Sequence, residues 1–320
     1  MHVLIKENLK VYRDLSAEII PHTVATIGIY DGVHLAHQQI IHHLNQAKKE
    51  FNSESLLVTL WPHPRYVLNK DADKLKLLST LDEKLHRLEE SGLDNVLLIP
   101  FSKEFAKTPF DKFISQILVE KLKVKHLVVG FNHHFGKNRE GGFDNLKDFG
   151  DKGGFTTERL DKVFVNGEGV SSSKIREYVW QGDLEKVNNM LGYDFTVSGR
   201  VLHGKKLGRQ LGFPTANIEL PEIYKILPAQ GVYAVEADIN GNTYQGMLNI
   251  GIRPTVDKMG VKMIEANFFD FDGNLYDKHL TLRFLKRIRE EKKFDTLEQL
   301  KDQIHVDRIQ IQKYFKKRSK

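Results

Sequence analysis

The chain has 320 residues, 40% of them hydrophobic and 28% charged, which is room for two ordinary globular domains. It has no cysteine, so disulfides, thiolate metal sites and a cysteine nucleophile are excluded. Its net charge of +6 suits anionic ligands such as nucleotides without requiring nucleic acid.

The N-terminus, MHVLIKENLKVYRDL, lacks the apolar core and cleavage site of a signal peptide. No apolar run is long enough to span a bilayer, so a cytoplasmic protein with no membrane partner is expected. Residues 24–30 (VATIGIY) read as a buried strand, and residues 34–50 as a helix with Leu35, Ile40, Ile41, Leu44 and Ala47 on one face. Strands are expected at 55–61, 95–101 and 124–129, with helices near 79–91 and 103–121 between them. Further strand character falls at 161–165, before a helix starting near Ser172. This alternation predicts a mostly parallel sheet covered on both faces. The rhythm changes near residue 193. Residues 195–202 alternate, Asn240-Gly241 and Asp272-Gly273 punctuate strand-like runs, and another strand lies at 279–285. Short strands with such turns predict an antiparallel barrel. A last helix carries Leu297, Leu300, Ile304 and Ile311 as its expected buried stripe. The boundary near 186–193 gives domains of 1–186 and 187–320.

Residues 28–37 (GIYDGVHLAH) follow a buried strand and open a helix. His34 and His37, three apart, can share a face beside a helix N-terminus, where free N–H groups and the dipole favour phosphate. Gly28 and Gly32 permit close backbone approach. Alone, a His-x-x-His is most often a pair of surface histidines. Here WPHP (61–64), GFNHHFG (130–136) and SSSKIR (171–176) also fall at strand ends or a helix start, where open α/β sheets bind ligands.

The second half carries GRVLHGKKLGRQLGFPTAN at 199–217. Its G-x-x-x-x-G-K stretch is no Walker loop, because Lys206 stands where Ser or Thr is needed and the flanks are not strand and helix. Gly204, Gly208 and Gly212 with Lys205, Lys206 and Arg209 make a cationic loop able to fold over phosphates. If 215–217 is extended, Thr215 and Asn217 share a side, a neutral oxygen pair suited to Mg²⁺. Glu265 interrupts apolar neighbours in KMIEANFFDF, as a solvated strand residue or as the group that deprotonates an alcohol.

These segments resemble, in order and over nearly the whole chain, the prokaryotic bifunctional riboflavin kinase/FMN adenylyltransferases, or FAD synthetases. The first half is similar to their HxGH nucleotidyltransferase module, with G-x-F-D-G-x-H-x-G-H, P-H-P, G-x-[DN]-F-x-F-G and S-S-T-x-I-R. The second is similar to their riboflavin kinase module through GRVLHGKKLGRQLGFPTAN, NIGIRPT at 249–255, DFDGNLY and FLKRIREEKKF. The resemblance implies a Rossmann-like nucleotidyltransferase domain followed by an antiparallel kinase barrel with a C-terminal helix. It implies ATP as co-substrate, Mg²⁺, and riboflavin, FMN and FAD as substrates and products. By resemblance Gly28, Asp31, Gly32, His34, His37, Asn132, Ser172, Ser173 and Arg176 serve the adenylyl site, and His63 lies near its flavin–nucleotide cleft. Likewise Gly204, Lys205, Gly208, Arg209, Gly212, Thr215 and Asn217 bind kinase ATP, Glu265 is the base, and Asn249 and Arg253 lie near the flavin. Small molecules are the expected partners, in a monomer or weak homo-oligomer. Ala36 and His133 depart from the pattern and motivate an alternative, a riboflavin kinase with an impaired first domain. A flavin-sensing regulator and a zinc hydrolase are further alternatives, each with thin support in the residues.

Overall fold

A computed structural model describes residues 3–5, 8–15, 22–68, 75–131, 141–203, 212–220, 222–253 and 261–318. The chain forms two compact units, 1–76 with 81–172, and 77–80 with 173–320.

The first unit is a seven-stranded sheet. Its strands are β1 (Val3–Ile5), β2 (Lys10–Tyr12), β3 (Val24–Ile27), β4 (Ser55–Trp61), β5 (Asn95–Pro100), β6 (His126–Val129) and β7 (Thr156–Arg159), in the order β1-β2-β5-β4-β3-β6-β7. All neighbours are parallel except the β1–β2 pair. Alternation along each strand feeds two cores. Leu57, Val96 and Leu98 meet Ile41 and Leu44 of α1 (Leu35–Glu50) on one face. Leu56, Val58, Leu97 and Ile99 meet Phe113, Ile114 and Leu118 on the other. Burial on both faces explains the continuous apolar runs of the central strands. Following the short α2 (Pro64–Leu68), helix α3 (Leu81–Glu90) adds Leu85 and Leu88 to the α1 side.

Two expectations need correcting here. The single helix at 103–121 is a 3₁₀ turn (Phe105–Lys107), then a helix restarting after Pro109, α4, made of Phe110–Lys112 and π-helical Phe113–Lys121. Proline cannot donate within a helix, so the chain breaks and restarts there. Residues 161–165 do not join the sheet. Phe164–Val165 (β8) pairs with Glu168–Gly169 (β9) in a small hairpin, and the strand that follows β6 in the parallel sheet is β7. Its sequence, TTER, is an edge strand with no apolar signature. Helix α5 (Phe143–Gly153) leads into β7.

The second unit opens with α6 (Ser172–Gln181, from Ser173 onward) and α7 (Leu184–Leu191). Its closed antiparallel barrel is β10 (Phe195–Leu202), β11 (Ala216–Glu219), β12 (Gly231–Ile239), β13 (Asn242–Arg253), β14 (Val261–Phe268) and β15 (His279–Arg289), ordered β10-β11-β14-β13-β12-β15. Asn240 and Gly241 form the expected hairpin turn with φ of 52° and 83°, the left-handed pair a two-residue turn needs. Asn188 of α7 locks onto the barrel: its amide donates to the Phe284 carbonyl and its oxygen accepts from the Phe195 N–H, both at 2.9 Å. The last helix, α8 (Leu297–Arg318), buries Ile311 and Phe315 against Val232, Met247 and Leu285. Leu297, expected in that stripe, is 58% exposed. Residues 77–80 join this unit through Leu77, which bonds Tyr224 and Ile226 backbone, and Leu78, whose carbonyl accepts from Lys225 Nζ at 2.7 Å.

Candidate active sites

In the sheet, connections from β3 run outward through β4 to β5, while β6 lies on the other side of β3. The order therefore reverses between β3 and β6, and the crevice at their carboxyl ends is the ligand position of an open α/β fold. Gly28–His37 follows β3, His63 follows β4, and Phe131 follows β6. Asn132 and His133 lie outside the described residues.

The turn after β3 is built from unusual backbone: Tyr30, Gly32 and Val33 have φ of 55°, 80° and 36°. It delivers three stacked rings. Tyr30 lies 4.3 Å from His37, and His37 lies 3.7 Å from His34, centre to centre. His34 caps α1 from an extended conformation, leaving the first-turn N–H groups beside the imidazoles. A Cβ on Gly28 would stand 2.8 Å from Tyr30 Cε2, so this glycine makes room for the innermost ring. Tyr30 hydroxyl and Thr26 Oγ1 are 3.1 Å apart. His37 Nδ1 is buried with no hydrogen-bond partner among the described residues. Burial, then His34 and Lys84, hold its pKa well below the ordinary histidine value. Ser172 donates its hydroxyl to the Asp31 carbonyl at 3.0 Å, tying the serine run to this turn. Ser173 is exposed and Arg176 buried on α6. His63 is buried, and its Nδ1 accepts from the Arg65 N–H at 3.1 Å. The structure thus joins Gly28, Asp31, Gly32, His34, His37 and Ser172 in one cluster. The motifs did not single out Lys84, which sits inside the same cluster. The available signal was a lysine among Leu81, Leu85 and Leu88.

The second site lies on the barrel. Asn217 of β11 pairs directly with Glu265 of β14, and Glu265 pairs directly with Asn249 of β13. Directly paired residues project to the same side, so the three form a polar row across adjacent strands. Buried Ala216 and Ile218, Ile264 and Ala266, and Leu248 and Ile250 alternate with them and face the other way. Thr215 stands two residues before Asn217, across buried Ala216. Asn267 braces the start of β11 by donating to the Pro214 carbonyl at 2.7 Å. With its amide oriented to satisfy both ends, Asn249 donates to Glu291 Oε2 at 2.8 Å and to the Gly231 carbonyl at 3.2 Å. Glu291, at the end of RIREE, extends the row and was not singled out from sequence. Arg253 pairs with Val261 at the end of β13, while its side chain lies outside the described residues. Gly212 has φ of 84° with open space at its Cβ. Gly204, Lys205, Gly208 and Arg209 lie outside the described residues. Among the described residues no group of three or more histidines and acids could hold a metal ion, so the zinc alternative gains nothing.

Comparison with known proteins decides between the remaining readings. A family model for FAD synthetase matches residues 16–174, and one for riboflavin kinase matches 191–315. A bifunctional riboflavin kinase/FMN adenylyltransferase of Pseudomonas fluorescens is 40% identical over 89% of this chain and 90% of its own. That of Bacillus subtilis is 36% identical over 92% of each. The chain belongs to the bifunctional riboflavin kinase/FMN adenylyltransferase family. It phosphorylates riboflavin to FMN and adenylylates FMN to FAD, with ATP as donor. Both family domains are present, and relatives are named for both activities, so the kinase-only alternative finds no support. A crystal structure described as a macrolide-efflux protein from Streptococcus pneumoniae shares the fold, with TM-score 0.86 and 27% identity over 94% of this chain and 97% of that one. Among the described residues no helix of this family member is long and apolar enough to cross a membrane.

Proposed function

We propose that residues 1–186 carry adenylyl transfer and 187–320 carry riboflavin phosphorylation, each a direct in-line displacement on ATP. In the kinase step the riboflavin 5′-hydroxyl oxygen attacks the γ-phosphorus, ADP leaves, and Glu265 takes the hydroxyl proton. The single observation that carries this reading is the row Asn217–Glu265–Asn249 on three neighbouring strands. It puts an acid between a candidate nucleotide ligand and a candidate flavin contact. Thr215 and Asn217 offer hard neutral oxygens flanking buried Ala216, a donor set that fits Mg²⁺ shared with ATP oxygens and water. Held by Thr215 and Asn217, such an ion would supply charge compensation for the phosphates during transfer. By resemblance Gly204, Lys205, Gly208, Arg209 and Gly212 serve the kinase nucleotide, and Arg253 serves the flavin.

In the second step an FMN phosphate oxygen attacks the α-phosphorus and pyrophosphate leaves. His34 and His37 bear on the phosphates at the α1 N-terminus, stabilising charge that builds during attack. Gly28, Asp31 and Gly32 shape the turn, and by resemblance Asn132, Ser172, Ser173 and Arg176 serve the nucleotide and His63 the flavin. The protein works in the cytoplasm as a monomer or weak homo-oligomer.

Product analysis tests the assignment. Purified protein given riboflavin, Mg²⁺ and ATP yields FMN and then FAD. Glu265→Gln lowers FMN formation about a hundredfold or more and leaves FAD formation from supplied FMN intact. Near-parental FMN formation by that variant removes Glu265 as the base.

A further inference from the structure

Helix α3 turns Leu85 and Leu88 into the core beside partly buried Leu81, and Lys84 lies on that face with them. Lys84 is 2% exposed. A buried ammonium is unfavourable unless acceptors meet it, and a leucine would fill an apolar stripe at lower cost. Here the acceptors are specific. Lys84 Nζ donates to the Ile29 carbonyl at 3.1 Å and to Thr59 Oγ1 at 3.3 Å, and lies 5.5 Å from the centre of the Trp61 ring. Thr59 donates its own hydroxyl to the same Ile29 carbonyl at 3.3 Å. Two donors therefore converge on one peptide group. That group opens the turn in which Tyr30, Gly32 and Val33 all have positive φ, backbone that persists only when its surroundings fix it. The stacked rings of Tyr30, His37 and His34 depend on this turn.

We propose that Lys84 is a positioning residue of the adenylyl-transfer site: it grips the Ile29 carbonyl from inside the domain, fixes the turn that presents His34 and His37, and sets the field those imidazoles feel. The proposal rests on the reading of His34 and His37 as the adenylyl-transfer residues. Among the described residues, the titratable groups that act on His37 and Lys84 include Tyr30, Asp31 and His34. Asp31 favours the ammonium form of Lys84, and Lys84 in turn disfavours a proton on His37. Lys84 reaches no substrate in this scheme. Its effect passes through the Ile29 carbonyl and through charge.

The test uses the full chain, with FMN formation from riboflavin as an internal control. Lys84→Met keeps the bulk and removes both donor and charge. Its kcat for FAD formation from FMN and ATP falls at least tenfold, while FMN formation stays within twofold. The acid limb of its pH profile moves to higher pH, because His37 is protonated more readily once the neighbouring cation is gone. Lys84→Gln restores a donor without charge, so it recovers much of the rate but keeps the moved limb. A Lys84→Met enzyme within twofold of the parent in FAD formation overturns the proposal. Lost rate with an unmoved limb marks a purely structural role and overturns it too. Should the methionine variant not accumulate folded, the glutamine variant decides alone: an unmoved limb refutes the role. His37→Asn keeps the two readings apart, since FAD formation persisting in that variant removes the site itself rather than the part Lys84 plays.

Discussion

Gly28 has no room for a side chain. A methyl there would press on the Tyr30 ring, which is fully buried and stacked on His37. Gly28→Ala therefore displaces the ring stack or the turn that carries it. We expect FAD formation to drop at least tenfold and stability to fall by about 1–3 kcal/mol, the usual cost of overpacking a tight site. FMN formation is unaffected. Urea unfolding and separate assays of the two products check this. Motif reading picked out residues by type and spacing: paired histidines after a glycine turn, a threonine and asparagine two apart, an acid in an apolar strand. Lys84 and Glu291 escaped it for a physical reason. Each bonds a partner distant in sequence, Ile29 and Thr59 for one and Asn249 for the other. A lysine in a polar-faced helix and a glutamate in a charged run carry no local sign of such partners.

At the level of elements, a buried carboxylate joins the apolar contacts of Ile311 and Phe315 in fixing α8 to the barrel. Asp307 is 1% exposed and takes a bidentate grip from Arg289, with Nε to Oδ1 at 2.9 Å and a terminal nitrogen to Oδ2 at 2.8 Å, while Gln303 donates to Oδ1 at 2.9 Å. Arg289 ends β15, two residues before Glu291, so the same clamp sets the strand end that reaches Asn249. Asp307→Ala leaves a half-buried guanidinium without its partner and should destabilise the barrel unit by roughly 3 kcal/mol. FMN formation suffers more than FAD formation. Denaturation midpoints and the two rates measure it, and an unchanged midpoint contradicts it. Elements were legible where pattern and environment agree. β4 and β10 match their expected spans, and the Asn240-Gly241 turn lies between β12 and β13 as anticipated. They were illegible where tertiary context overrides pattern. β7 is polar because it is an edge, and Phe113–Lys121 winds as a π-helix that periodicity cannot distinguish from an ordinary one.

Across the whole molecule, buried bases make stability depend on pH in two windows. Burial lowers Lys84 to about 8 from 10.5, so between these values the unfolded chain holds a proton that the folded chain does not. Stability then rises with pH from about 8 to 10.5, by on the order of 3 kcal/mol in all. His37 follows the same sign lower on the scale: the unfolded chain gains its proton as pH falls below 6.5 while the folded ring resists, so stability is lost on acidification. Unfolding measured from pH 5 to 10.5 reads both slopes. The alkaline one disappears in Lys84→Met.

One short stretch limits how the two activities can be separated. Residues 77–80 are flanked on both sides by the sheet unit, yet they pair with Tyr224, Lys225 and Ile226. A gene cut at residue 172 or 186 gives neither product its complete complement. The kinase fragment leaves a buried lysine facing an absent carbonyl, and the adenylyltransferase fragment keeps a tetrapeptide with nothing to lie against. In this chain the two units are therefore more than beads on a string, because residues 77–80 of the second are encoded inside the first.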